Sequence, residues 1–394
     1  MAVPYAWKHS AEVGRATKGK GIVIGQVDTG VADHVMMRGQ LAGGWNFIDN
    51  NDNPVDPLNY SGNPGHGLSV AAAAAGAESA SLNMSGVAPL ANVRPMRAVT
   101  TVVISAANSE TVALGVEGAW KRGCQVISLS LGGVYLGTHP PQLLKAAIET
   151  VVNNGMIVIA AAGNHIRGIT YPGWDPNCIC VAASAVNRKP WEGSCRGAEI
   201  AVSAPGHQVW TPWRARPEDP VDKVGAGCGT SYSAAHVAGV AALWLAHHGT
   251  DTIYRKYKGK QVAAAFRTLA RRTALAPPGW DHTQWGAGVI HAFTLVKDGL
   301  PPVSGLAEVE SPSPALRLAA ALRSEGLDAE STNRIDDDFA RRYGPEIDWL
   351  LARRATARRS APASAEPPPQ VSESLAQALP AVAALGQEPT MAST

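Results

Sequence analysis

The sequence predicts an α/β protein: a doubly wound, mostly parallel sheet in three layers, followed by an irregular C-terminal tail. Short apolar runs such as Gly21-Ile22-Val23-Ile24-Gly25-Gln26-Val27 and Met156-Ile157-Val158-Ile159-Ala160-Ala161-Ala162 read as strands buried on both faces. Stretches with apolar residues at helical spacing alternate with these runs, the pattern of a parallel sheet covered by helices. After about residue 300 the alternation stops, and Ala, Pro, Ser and Arg take over.

In chain order, residues 1–20 are polar and mixed, a leading helix or arm. The first strand runs from Gly21 to Val27 and ends at Asp28-Thr29-Gly30. Residues 43–65 are rich in Gly, Asn, Asp and Pro and read as a long loop. Gly65-His66-Gly67 then opens an Ala-rich helix to Gly76. A strand is expected over 92–99, a helix over 108–122, a strand over 125–131 stopped by Gly132-Gly133, and a helix over 140–154. The strand at 156–162 ends on Gly163-Asn164, and two more follow at 178–183 and 198–203. Gly229-Thr230-Ser231 opens an apolar helix through Leu245, with another helix near 259–272 and a short one reaching Asp298.

Three regions are therefore expected: a sheet domain over 1–300, a linker with short helices over 301–358, and a disordered Ala/Pro-rich tail over 359–394. The short helices fall at 315–325 and 333–357.

The 394 residues are 45% hydrophobic and 17% charged, with a net charge of +2. That balance argues against partners bound through bulk charge, so neither nucleic acid nor a membrane surface is expected. No apolar run reaches the ~18 residues of a membrane span. The first residues lack the apolar core of a signal peptide, so the chain is expected in the cytoplasm, or secreted if its start is truncated. Five cysteines stand at 124, 178, 180, 195 and 228. Their spacing gives no metal-ligand pattern; most read as small buried hydrophobes, with one disulfide left open for an exported protein.

Residues suited to acyl transfer stand at the ends of elements. Asp28 closes a strand, His66 opens a helix and Ser231 opens another. A serine hydroxyl needs a base to take its proton. An imidazole does this near neutral pH, and a carboxylate fixes its tautomer. Asn164, at a strand end, offers an amide N–H to the oxyanion, and the Ser231 backbone N–H is a second donor at a helix start.

Five stretches together resemble the subtilisin-like (subtilase, peptidase S8) serine peptidases. They are Val27-Asp28-Thr29-Gly30, Gly65-His66-Gly67, Ser128-Leu129-Ser130-Leu131-Gly132-Gly133, Ala161-Ala162-Gly163-Asn164, and Gly229-Thr230-Ser231 with His236-Val237-Ala238-Gly239. The resemblance spans roughly residues 18–296. It implies the subtilisin-like fold and a serine endopeptidase with Asp28 as orienting carboxylate, His66 as base and acid, Ser231 as nucleophile and Asn164 in the oxyanion hole. It also implies that Leu129, Ser130, Leu131 and Gly132 pair with substrate backbone, and that Ala161, Ala162 and Gly163 form the opposite wall. Thr170 falls near the pocket floor, where no acidic residue stands, so uncharged side chains are expected there. The alternatives are a subtilase-type peptide ligase or macrocyclase, and a catalytically degenerate peptide-binding scaffold.

Three positions depart from the family pattern: Tyr232 replaces the usual Met, Ala235 the usual Pro, and Leu68 the usual Thr. No metal site is assigned. Calcium is left open, because residues 77–86 offer only Glu78 and Asn83 as oxygen ligands. The expected partner is a peptide or protein substrate, and the C-terminal tail is expected to bind a protein partner or restrain activity. His236, beyond the first helical turn, reads as a hydrogen-bonded core histidine. Arg353, Arg354, Arg358 and Arg359 read as a solvated face.

Overall fold

In the computed structural model, which describes residues 1–306, 309, 312–357 and 371–387, strands and helices alternate in the expected order. Helix α1 (Val3–Glu12) precedes strand β1 (Val23–Asp28). The loop at 43–65 contains the two-residue strand β2 (Trp45–Asn46) and leads into α2 (His66–Ala75). Then follow β3 (Asn92–Arg97), α3 (Ser109–Lys121), β4 (Val126–Leu129), α4 (Gln142–Asn153), β5 (Ile157–Ala161), β6 (Cys178–Ser184) and β7 (Ile200–Pro205). These strands pair in parallel in the order β2-β3-β1-β4-β5-β6-β7. The chain winds one way from β1 and the other way from β4, so the crevice beyond their C-terminal ends is the topological switch point.

Period-two alternation sends successive strand residues into two separate cores. Ile24, Val126, Ile157 and Ile159 pack on one face with α2 residues. Val27, Ile127, Val158 and Ala160 pack on the other with α3 and α4. Helix α3 reaches β1 closely because both carry glycine at the contact. A Cβ on Gly25 would lie 2.6 Å from Ala119 Cβ, and one on Gly115 would lie 2.7 Å from Val27.

A small antiparallel pair, β8 (Val209–Pro212) and β9 (Val224–Gly227), delivers the chain to α5 (Thr230–His248). Helix α5 is apolar nearly all round and lies buried along its length, as such a helix must. Leu245 and Trp244 are fully covered there, and burying one such side chain contributes about 1.5–3 kcal/mol. Helices α6 (Thr250–Lys256), α7 (Gln261–Thr273), α8 (His282–Trp285) and α9 (Ala292–Lys297) complete the core unit.

The C-terminal region carries α10 (Pro314–Ser324), α11 (Ala329–Thr332) and α12 (Asp337–Ala357), in line with the short helices expected at 315–325 and 333–357, and also α13 (Glu373–Ala378) and α14 (Pro380–Gln387), where a disordered tail was expected. Leu318 with Leu322, and Ile347 with Leu350 and Leu351, place apolar residues on one helical face, and that face joins the α3–α4 core. The segment at 314–357 is thus packed against the sheet unit and is not a free linker. Within the region expected to be disordered, Leu375, Leu379, Val382 and Leu385 are buried in the same core. Residues 358–370 and 388–394 of that region lie outside the described residues.

Candidate active site

Asp28 sits at the C-terminal end of β1 with 1% of its surface exposed. Its Oδ1 accepts from the Thr29 N–H and from Nδ1 of His66, each at 2.8 Å. A carboxylate only accepts, so Nδ1 carries the proton and Nε2 keeps the lone pair. His66 is the first residue of α2, and the preceding Gly65 adopts φ 76°. A Cβ on Gly65 would fall 1.7 Å from the Arg214 carbonyl, so that turn accepts no side chain.

A second buried carboxylate ties β1 to the His66 loop. Thr29 Oγ1 donates to Asp56 Oδ2 at 2.8 Å and accepts from Gly67 N–H at 3.0 Å. Asp56 Oδ2 also accepts from Gly65 N–H at 2.8 Å and from the Tyr60 hydroxyl at 3.2 Å. Burial pushes the Asp56 carboxyl above its usual range, against the opposing pull of these bonds.

Ser231 is the second residue of α5, on the same sheet edge. Its Oγ donates to the Ser130 carbonyl at 3.1 Å, and Ser130 Oγ donates back to the Ser231 carbonyl at 2.9 Å. Asn164 is oriented by its neighbour: Oδ1 accepts from the Thr230 N–H at 2.9 Å and from Thr230 Oγ1 at 3.0 Å. Thr230 Oγ1 in turn accepts from Gly163 N–H at 3.1 Å. A Cβ on Gly229 would lie 3.6 Å from Asn164 Nδ2 and 3.9 Å from Ser231 Oγ, so both atoms border the same small volume.

A cavity of about 110 Å³ adjoins Ser231 and is lined by Ser130, Leu131, Gly132, Ala161, Gly163 and Thr170, among others. Thr170 fills its floor: a Cβ on Gly132 or Gly163 would lie 2.5 or 2.6 Å from its side chain. Two of the expected substrate-contacting residues are placed differently. Leu129 is fully buried in β4, where strand alternation turns it into the α3–α4 core. Ala162 is also fully buried and contributes its carbonyl, which accepts from the Thr170 N–H at 2.9 Å. The stretch that borders the cavity therefore starts at Ser130, itself buried.

Sequence reasoning missed several neighbours of the cleft. Gly132 N–H donates to the Val102 carbonyl at 2.9 Å, and Ile104 N–H donates to the Gly132 carbonyl at 3.0 Å. Ile166, Ala352, Ala355 and Thr356 also border the Ser231 cavity. The Ile166 signal was local, two residues beyond Asn164; residues from α12 gave none, because nothing in their spacing points to a cleft. On the other side of His66 a larger cavity, about 280 Å³, is bounded by Ser69, Trp213 and Tyr232. Desolvation pushes the Tyr232 phenol up to about 12.

The remaining singled-out residues lie elsewhere. His236 Nδ1 faces the Pro205 carbonyl at 2.9 Å, and desolvation lowers its pKa to about 4. Arg354 is buried against Glu325 at 3.4 Å and so is not part of a solvated basic face, while Arg353 is half-buried over the exposed Trp349 ring. Arg358 and Arg359 lie outside the described residues. All five cysteines are free thiols; Cys228 is exposed and the other four are buried. Glu78 is paired with Lys18 at 2.5 Å, and among the described residues no cluster of three His, Cys, Asp or Glu could hold a metal ion. Among them, too, no helix is long and apolar enough to cross a membrane.

Comparison with known proteins covers the sheet unit. A model of the subtilase family matches residues 19–288. Over 304 residues the chain is 33% identical to thermitase of Thermoactinomyces vulgaris, covering 75% of this chain and 94% of thermitase. It is 32% identical over 270 residues to the major intracellular serine protease of Bacillus subtilis, covering 66% of this chain and 78% of that protein. A solved protease from Pseudoalteromonas arctica superposes with a TM-score of 0.61 at 25% identity, covering 75% of this chain and 93% of the other.

Proposed function

Because the chain belongs to the subtilase family, a serine-type endopeptidase acting on peptides or proteins, we propose that it cleaves through an acyl-enzyme on Ser231, with His66 as base and Asp28 as its orienter. The observation that carries this reading is the 2.8 Å bond from His66 Nδ1 to Asp28 Oδ1, which leaves Nε2 as the basic nitrogen. Ser231 Oγ turns from the Ser130 carbonyl toward His66 Nε2 when substrate arrives. The vacated Ser130 carbonyl then accepts an N–H from the substrate strand, a β-augmentation contact. Attack forms a tetrahedral oxyanion, which the Asn164 amide and the Ser231 N–H stabilise. His66 passes its proton to the leaving amine, and water attacks the acyl-enzyme by the same route in reverse. The narrow floor at Thr170 favours small, uncharged residues before the scissile bond.

A fluorophosphonate probe tests this. Wild-type protein is expected to be labelled and Ser231→Ala is not; a well-folded wild type that takes no label sinks the reading. Product mass separates the chemistry, since hydrolysis adds one water to the products and ligation adds none.

A further inference from the structure

We infer that the helical segment 314–357 competes with peptide for the cleft: its last turn covers the approach to Ser231, and the segment must lift away before an extended substrate can pair with the Ser130–Gly132 edge. This rests on the endopeptidase reading of that edge.

The segment is anchored to the stretch that continues the substrate edge. Asp348, buried on α12, accepts from the N–H groups of Leu136 at 3.0 Å and Gly137 at 3.1 Å, and from Thr138 Oγ1 at 2.8 Å. The two backbones meet glycine on glycine: a Cβ on Gly344 would lie 2.3 Å from the Gly137 carbonyl. Around this anchor, Arg167 Nη1 donates to the Ser324 carbonyl at 2.6 Å, and the Arg317 guanidinium lies 3.8 Å from the Trp174 ring centre.

From Gly344 to Thr356 the helix advances about 18 Å at ~1.5 Å per residue. That length carries Ala352, Ala355 and Thr356 to the cavity that Ser231, Asn164 and Gly163 also line. An extended peptide needs the same place. It also needs the Gly132 N–H and carbonyl, and both are bonded to the 102–104 segment, which borders the same cavity. Strand addition requires a clear flank; the helix occupies that flank, while the Gly132 bonds to the 102–104 segment are independent of it and part when the peptide enters.

The anchor is releasable. Its polar part is one carboxylate beside a glycine contact at the end of the 131–138 stretch, away from Asp28, His66 and Ser231, and the apolar face of Leu318, Leu322, Ile347 and Leu350 separates with it. If fewer than about a tenth of the molecules are open, freeing the segment raises peptide turnover ~10-fold.

Full-length Gly344→Val and Asp348→Ala place the anchor under test. The first inserts a side chain into the contact, and the second leaves two N–H groups without their acceptor. Labelling by diisopropyl fluorophosphate, small enough to pass the helix, reports on Ser231. Hydrolysis of succinyl-Ala-Ala-Pro-Ala-p-nitroanilide reports on the cleft. The expected result is labelling of all three proteins, with kcat/KM for the peptide at least ~10-fold higher in both variants. Labelling of all three with no gain in turnover overturns the inference and leaves the endopeptidase reading standing. No labelling of any of the three overturns both. Should both variants fail to fold, hydrogen exchange of full-length Ser231→Ala decides. Saturating peptide is expected to expose the Leu136 and Gly137 amides, and unchanged protection with peptide bound overturns the inference.

Discussion

The hydroxyl of Ser231 donates to the carbonyl of Ser130 at 3.1 Å, and among the described residues no hydrogen bond joins Ser231 to His66. In the proposed mechanism this hydroxyl is the nucleophile, parked on the acceptor that a substrate strand would use. Arrival of that strand therefore breaks the parking bond as it makes its own, and the freed hydroxyl turns to Nε2. Asp28→Asn would keep the shape of the site but favour the wrong imidazole tautomer. It is expected to lower kcat by about 10⁴-fold with KM little changed, the size seen where a triad loses its carboxylate. Steady-state kinetics at neutral pH check this, and a loss under tenfold would remove Asp28 from the role.

Asn164 owes its orientation to Thr230. Asn164→Ala is expected to cost ~10²–10³ in kcat, a range measured on subtilisin itself, with KM nearly unchanged. Thr230→Val removes the hydroxyl that links Gly163 N–H to Asn164 Oδ1. It should lower kcat by roughly tenfold, and its effect should vanish on the Asn164→Ala background, as expected when one residue acts through another. Full additivity in that double variant would argue that the two act independently.

Thr170 closes the pocket floor between Gly132 and Gly163. Thr170→Gly should raise kcat/KM for Phe relative to Ala before the scissile bond by roughly 10–200-fold, the range for one methylene gained or lost in a hydrophobic pocket. Because the measure is a ratio within one protein, it is insensitive to how open the cleft is. A peptide library profile that does not move toward larger residues would place the specificity elsewhere.

Desolvation lowers His236, His247 and His248 each to about 4, below an unfolded value near 6.5. A depressed histidine is neutral in the native state and charged in the unfolded one. Its contribution to stability is complete above pH 6.5 and is lost as pH falls toward 4, since the unfolded chain binds the extra proton. The melting temperature should therefore drop across that window, and His236→Gln should make the drop shallower. A pH profile unchanged by that substitution would rule His236 out as a contributor.

Much of the sheet was legible because parallel strands buried on both faces must be written as apolar, β-branched runs, and the residues of the proposed site stand where those runs end. Asp28 was readable at a strand end and His66 and Ser231 at helix starts, each within two residues of a glycine. Leu129 was not: a motif names consecutive residues, while the pleat sends every second one into the core. Thr230 read only as part of the stretch that opens a helix, yet its hydroxyl reaches sideways to Asn164. Two of the C-terminal helices were legible at 315–325 and 333–357; composition hid their packing on the sheet unit and the helices that follow at 373–387. Their anchor joins Asp348 to Leu136, 212 positions away, a pairing that local spacing does not encode.

The order of elements along the chain also sets an order in time. Synthesis completes α9 at Lys297 before α12 begins at Asp337. At the ~5–20 residues per second of translation, α12 emerges several seconds after the last core helix. Each newly made chain thus holds all four residues of the proposed site for that interval with no helix yet available to lie across it. Protection of this kind serves the finished molecule, and the ribosome-bound one depends on how quickly its sheet closes.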